Sequence, residues 1–287
     1  MSNGHGYEGC WPKQVRCASL RELRNGMAHL RDELYQRHLL VIRGLAPLHP
    51  DELLEFADLF GTVEMPLEGS AVLEGQTLVE VVRRTGQDPE YASPASEPQR
   101  GIRIPSSFYW HADRSFLVSP SLVTLAYAQT PAPVGGDTQF LNLELAWRGQ
   151  DDRLKDRLER TFGIHSYSRY RRELAHVRYS EGAIQSADSL YPTVMHPLLM
   201  THPVTGATIP YLSPLTLQTV VPLVRMRHVE AAMERLLNPE SPAFSEAFCS
   251  IGMPAGTLLV WDNFGAIHRG TPSFGDIELW RVTLSQP

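Results

Sequence analysis

His111 and Asp113 close the β-prone run Phe108-Tyr109-Trp110 with only Ala112 between them, and His268 lies 155 residues beyond the aspartate. On an extended segment residues i and i+2 project to the same face, so His111 and Asp113 can share a cavity while Ala112 faces away. Two imidazoles and one carboxylate can bind one face of a non-haem Fe(II) and leave the opposite positions open for O2 and a co-substrate. A chain that uses these three side chains together must fold so that a remote segment lies alongside the first. A bare His-x-Asp pair is more often a loop or surface feature, and with 11 histidines in the chain His268 needs independent support.

The segment Gly256 to Asn263 reads Gly-Thr-Leu-Leu-Val-Trp-Asp-Asn, a strand with a turn at its end, and Phe264 to His268 starts the next segment. Arg281 follows 13 residues after His268, within Glu278-Leu279-Trp280-Arg281-Val282-Thr283-Leu284. Alternation puts Arg281 on the side opposite Trp280 and Val282. An arginine directed inward needs an anion, and a dicarboxylate co-substrate would supply one through a bidentate guanidinium–carboxylate pair. An edge-strand arginine facing solvent is the other reading. Gly135-Gly136-Asp137 is a turn signal, and Thr138 opens the strand after it. Its hydroxyl can add a donor beside the guanidinium or simply flank the turn.

Several stretches in one order carry a resemblance. They are Trp110-His111-Ala112-Asp113-Arg114-Ser115-Phe116, Pro133-Val134-Gly135-Gly136-Asp137-Thr138-Gln139-Phe140, His202-Pro203-Val204-Thr205-Gly206, and Trp261-Asp262-Asn263 ahead of His268-Arg269. Over roughly residues 20–285 the chain resembles the taurine dioxygenase / 2,4-dichlorophenoxyacetate dioxygenase family of Fe(II)- and 2-oxoglutarate-dependent oxygenases. The resemblance implies a double-stranded β-helix, or jelly roll, flanked by helices. It implies that His111, Asp113 and His268 ligate iron, that Arg281 and Thr138 hold the distal carboxylate of 2-oxoglutarate, and that the keto-acid end chelates the metal. Two departures stand out. The segment before the distal histidine, Phe264-Gly265-Ala266-Ile267, is more apolar than the family leads one to expect. Where the taurine enzyme has an asparagine four residues before its first histidine, this chain has Ser107, with Phe108 next, which argues against taurine as substrate. Asp113 is intact, whereas halogenating relatives carry a small residue there, so the resemblance points to oxygen insertion or a related oxidation.

Composition agrees with an enzyme of this size. The 287 residues are 43% hydrophobic, enough for a large core, and the net charge of −6 gives no reason to expect nucleic acid as a partner. Cys10, Cys17 and Cys249 are too few and too scattered for a disulfide framework or a cysteine-based metal site. No run is long and apolar enough to span a membrane and there is no amino-terminal apolar signal, so the expected setting is the cytoplasm.

Along the chain, Leu20 to Arg37 has helical apolar spacing, and Leu39 to Gly44 reads as a short buried strand. A helix runs from Pro50 to about Phe60, with Asp51 and Glu52 in its first turn. Leu78 to Arg83 reads as a strand with Val79 and Val81 on its inner face and Glu80 interrupting the other. Leu122 to Gln129 is another strand, Asp151 to Phe162 a charged helix, Thr201 to Thr208 two strands around a turn, and Val224 to Leu237 an amphipathic helix. The whole of 1–287 reads as one mixed α/β, mainly β domain. Lid-like insertions are expected near 85–105 and 166–191, the second also suited to a contact between copies, which leaves a homo-oligomer open. Phe108, Tyr109, Trp110 and Phe116 surround the first ligands with aromatic surface. If Ser107, Phe108 and Phe116 line the pocket, the small-molecule substrate is bulky or partly apolar. That fits a tailoring oxidation in natural-product biosynthesis, with catabolic cleavage of a sulfonate, sulfate ester or aryloxy group as the alternative. A jelly-roll protein that binds metal or ligand without turnover is a third reading, against which Arg281 and Thr138 count.

Overall fold

In the computed structural model the apolar alternation becomes two facing, mainly antiparallel sheets; residues 11–84, 110–148, 150–167, 186, 188–222, 225–271 and 273–286 are described. The sheets are built from β1 (Leu39–Arg43), β2 (Gln76–Arg84), β3 (Val123–Thr130), β4 (Thr138–Asn142), β5 (Phe248–Ile251), β6 (Leu258–Asp262), β7 (Ala266–Gly270) and β8 (Ile277–Ser285). The larger sheet runs β1-β6-β3-β8-β2, extended at its edges by Lys13–Arg16 and Val72–Leu73. The smaller runs β5-β4-β7. This is the jelly roll expected of the family.

Burial explains the strand sequences. Every residue of β6 is buried, because both of its faces are covered. Leu259 and Trp261 join Leu39, Val41, Ala126, Ala128, Phe140 and Ile251 between the two sheets. Leu258 and Val260 face the other way, toward α1 (Met27–Arg37) and α2 (Pro50–Ala57), in a core that includes Leu30, Leu34, Leu53, Phe56 and Trp280. The outer face of the smaller sheet, with Leu141 and Ile267, is covered by α3 (Leu143–Arg148), α4 (Asp152–Glu159), α5 (Met226–Leu237) and α6 (Pro242–Ala247). Each fully buried Leu, Ile or Phe in these layers stabilises the fold by about 1.5–3 kcal/mol.

Three elements differ from their sequence reading. Leu20–Gly26 is a 3-10 turn, and the α-helix begins only at Met27, after Asn25-Gly26, two residues that disfavour a helix interior. The helix begun at Pro50 ends at Ala57. The charged helix stops at Glu159, and Phe162–His165 is a strand paired with Val194–Pro197 and Leu217–Val221. The expected lid at 85–105 lies outside the described residues, and so does most of the one at 166–191. Among the described residues no helix is long and apolar enough to cross a membrane.

Candidate metal centre

The segment carrying His111 reaches the small sheet through its tryptophan. Trp110 is buried against Phe244 and Phe248, with the Arg269 guanidinium 4.7 Å over its ring. The next residue pairs with β7. His111 and His268 exchange both backbone hydrogen bonds, N to O at 3.0 and 2.9 Å, as an isolated antiparallel bridge. Residues opposed in this way send their side chains to the same face, and the two rings lie 4.3 Å apart. Asp113 is fixed by two hydrogen bonds, and a third ties its two partners together. Its amide donates to Asn263 Oδ1 at 3.0 Å, its Oδ2 accepts from the Thr124 hydroxyl at 2.8 Å, and Asn263 Nδ2 donates to that hydroxyl at 2.9 Å. Asn263 comes from the turn between β6 and β7 and Thr124 from β3, so the turn holds the backbone of Asp113 and the larger sheet holds its carboxylate.

The spacing suits a cation. His111 Nε2 lies 3.8 Å from Asp113 Oδ1, and His268 Nε2 lies 3.9 Å from Asp113 Oδ2. These edges are too long for hydrogen bonds and wide enough for an ion with bonds of about 2.0–2.2 Å. His268 Nδ1 is buried with no hydrogen-bond partner. Burial, reinforced by the neighbouring His111, holds the His268 imidazolium down to about 3, so at neutral pH the ring carries a free lone pair. Burial disfavours the Asp113 charge, but the surrounding imidazoles, the Arg281 guanidinium and the Thr124 hydroxyl outweigh it and hold the carboxyl at about 2. A neutral imidazole and an ionised carboxylate are the states a metal requires.

A second group of two histidines and a carboxylate serves as the contrast. His38 Nδ1 and His202 Nε2 both sit on one oxygen of Asp262, at 2.7 and 2.8 Å, and His38 Nε2 meets Glu144 at 3.0 Å. His202 Nδ1 accepts from the amides of Val204 and Thr205. Every ring nitrogen here is in a hydrogen bond, at distances that leave no room for an ion. Burial alone would lower His38, but the two carboxylates raise it to about 9. The cluster is a buried charged clasp on the end of β6, one residue from Asn263.

Arg281 projects to the cavity side of β8, opposite Trp280 and Val282, which belong to the helix-side core. Its Nη1 lies 3.7 Å from Asp113 Oδ1, while its Nε and Nη2 both reach Glu80, the first at 2.8 Å. The anion that the inward arginine calls for is thus present in the chain itself. Glu80 is 4% exposed and also meets Arg114 at 3.3 Å. Thr138 opens β4 on the smaller sheet, whereas Arg281 lies on β8 of the larger one. Thr138 pairs with Gly270, two residues along β4 and β7 from the facing pair Phe140 and His268. Phe116 is buried against Tyr167 and Tyr191, in a small cluster with Leu67 and Leu117, and Ser107 and Phe108 lie outside the described residues. Sequence reasoning missed Glu80, Arg114, Thr124, Asn263 and His38 as parts of this region. The signals available were the lone charge of Glu80 in a strand of valines, the place of Arg114 and Asn263 in the family-like stretches, and the apolar run before His268.

Comparison with known proteins agrees with the geometry. The family model described as "Taurine catabolism dioxygenase TauD, TfdA family" matches residues 8–283. An (S)-phenoxypropionate/alpha-ketoglutarate-dioxygenase of Delftia acidovorans is 27% identical over 90% of this chain and 84% of its own length. Pentalenolactone F synthase of Streptomyces avermitilis is 25% identical over 82% of this chain and 76% of its own. The crystal structure of AAD-2 in complex with Mn(II) and N-oxalylglycine superposes with a TM-score of 0.74 and 21% identity, covering 96% of this chain and 94% of that one.

Proposed function

This chain belongs to the taurine catabolism dioxygenase TauD, TfdA family, enzymes that use Fe(II) and 2-oxoglutarate (the alpha-ketoglutarate of its relatives' names), and on that premise we propose which residues do the work. His111, Asp113 and His268 hold the iron. Thr138 and Arg281 hold the distal carboxylate of 2-oxoglutarate. Membership of an enzyme family sets aside the reading of a binding protein without turnover. Bound there, ferrous iron with 2-oxoglutarate and O2 supplies the oxidising power, releasing succinate and CO2 and inserting oxygen into, or otherwise oxidising, a small organic substrate.

The chain's own contribution is placement. His268 presents Nε2 because its backbone is locked to His111, and Asp113 keeps its charge and orientation through Thr124 and Asn263. Phe140 and Trp261 stand against the His268 ring, at 5.9 and 4.7 Å between ring centres, and keep water from that side of the site. Arg281 orients the distal carboxylate of the co-substrate, sharing its guanidinium with Glu80. The observation that carries the reading is the pair of imidazole–carboxylate edges at 3.8 and 3.9 Å, open where the Asp262 cluster is closed. We assign the primary substrate to bulky, partly apolar small molecules, as in a biosynthetic tailoring step, in the cytoplasm. Anaerobic titration with Fe(II) and 2-oxoglutarate tests the metal site: the wild type should develop a weak visible charge-transfer band, and His111→Ala and Asp113→Ala should lose both the band and succinate formation while staying folded. Wild-type turnover in either variant would remove that residue from the ligand set.

A further inference from the structure

We infer that Glu80 sets the charge preference of the site, admitting a primary substrate that is uncharged or cationic at the end approaching the metal and disfavouring an anionic one. The inference rests on His111, Asp113 and His268 being the metal ligands. Glu80 lies on the cavity face of β2, directly opposite Arg281 of β8. One carboxylate oxygen takes both Nε and Nη2 of Arg281. The other takes Arg114 Nη2 and the Ser70 hydroxyl, each at 3.3 Å. Arg114 in turn places Nη1 3.3 Å from Glu64. Among the described residues, the two guanidinium groups linked to the metal side are therefore engaged by Glu64, Glu80 and Asp113, and in the proposed function Arg281 is taken up by the co-substrate carboxylate as well.

Three carboxylates against two guanidiniums leave one negative charge in excess. A ferrous ion and a doubly ionised co-substrate add no net charge to that sum. An anionic substrate would have to seat a further negative charge beside them, and a buried arginine–carboxylate pair does not open cheaply to receive it, since the carboxylate left behind is uncompensated. The arrangement is also held against strain. Arg114, the residue after Asp113, has φ 53°, a left-handed backbone that non-glycine residues adopt only when their surroundings impose it. Its contacts with Glu64 and Glu80 supply that constraint.

At an effective dielectric constant near 20, a like charge about 6 Å from Glu80 costs roughly two powers of ten in affinity before screening by salt, so at least a tenfold effect should survive. The test uses Glu80→Gln, which keeps the shape and removes the charge. Binding of phenoxyacetate to the anaerobic Fe(II)–2-oxoglutarate protein is read by perturbation of the visible band and by calorimetry, with 2-phenoxyethanol as the uncharged control. Glu80→Gln should bind phenoxyacetate at least tenfold more tightly than wild type, with the control changed by less than about threefold. Glu80→Asp, which retains the charge, should keep wild-type selectivity, and Glu64→Gln should give a smaller gain in the same direction. A purely structural role would lower binding or leave it alone. No gain in phenoxyacetate affinity, including no binding to either protein, or wild-type binding tighter than about 1 mM, overturns the inference. Absence of the band in every protein would instead overturn the metal-site reading.

Discussion

Gly265→Ala should cripple the protein through a histidine far away in sequence. A Cβ built at Gly265 would lie 1.9 Å from His38 Nδ1 and 2.2 and 2.3 Å from two ring carbons, all well inside contact distance. The ring cannot swing aside as an exposed side chain would. His38 is 1% exposed, its ring is held between Asp262 and Glu144, and its backbone is locked at the end of α1 with φ 59° and its amide on the Leu34 carbonyl. Relief of more than 1 Å must break the 2.7 Å contact with Asp262, and breaking a buried ion pair from one side costs about 3–5 kcal/mol. That is a large share of the roughly 5–15 kcal/mol by which proteins are stable. For a chain of this size each kcal/mol lowers the melting temperature by about 2 °C, so a fall of about 5–10 °C is expected. Because Asp262 precedes Asn263, which holds the Asp113 amide, Fe(II) affinity should fall as well. Urea unfolding and an anaerobic metal titration read the two effects. The double variant Gly265→Ala, His38→Ala removes the clash and should fit its added methyl group better than the single variant does. Loss of less than about 1 kcal/mol in Gly265→Ala would refute the argument.

Three further outcomes are expected. Thr124→Val removes the hydroxyl that donates to Asp113 and should weaken Fe(II) binding about 10- to 100-fold, measured by titration, with circular dichroism unchanged. Arg281→Ala should weaken 2-oxoglutarate binding about tenfold or more, since a charge-assisted pair is lost; calorimetry checks it, and unchanged affinity would exclude that role. His38 is raised from 6.5 to about 9 in the folded state, so its contribution is complete below 6.5 and is lost as pH rises through about 9. The loss should be about 3 kcal/mol between those limits, and denaturant unfolding of His38→Gln should show that slope flattened.

The fold and the convergence of His111, Asp113 and His268 were legible for different reasons. Strands such as β6 announce themselves because burial on both faces leaves no room for a polar residue, and the alternation around Arg281 assigned its face correctly. The ends of α1, α2 and α4 were misjudged because apolar spacing continues through Asn25-Gly26 and into Phe162, whereas backbone preference and strand pairing decide where the helix stops. Arg281 was recognised as needing an anion, but its partner could not be read. Glu80 lies 201 residues away, and only the register of β2 against β8 puts the two opposite each other. His38 was invisible for a similar reason. Its role depends on the space left by Gly265, and the unusual apolar run Phe264-Gly265-Ala266-Ile267 hinted at a change there without naming what filled it. Asn263 and Thr124 are ordinary polar residues in strand and turn until three-dimensional proximity gives them a carboxylate to hold.

On the proposed ligand set, the reciprocal amide bonds between His111 and His268 leave no partial chain with a usable iron cradle. One imidazole arrives with the first half of the polypeptide and the other near its end, and they are stitched together only when the last strands dock. On that ligand set, iron uptake waits until the two sheets have closed on each other. An oxidant-generating ion is in this way kept from settling on an unfinished molecule, where the damage would fall on the protein itself.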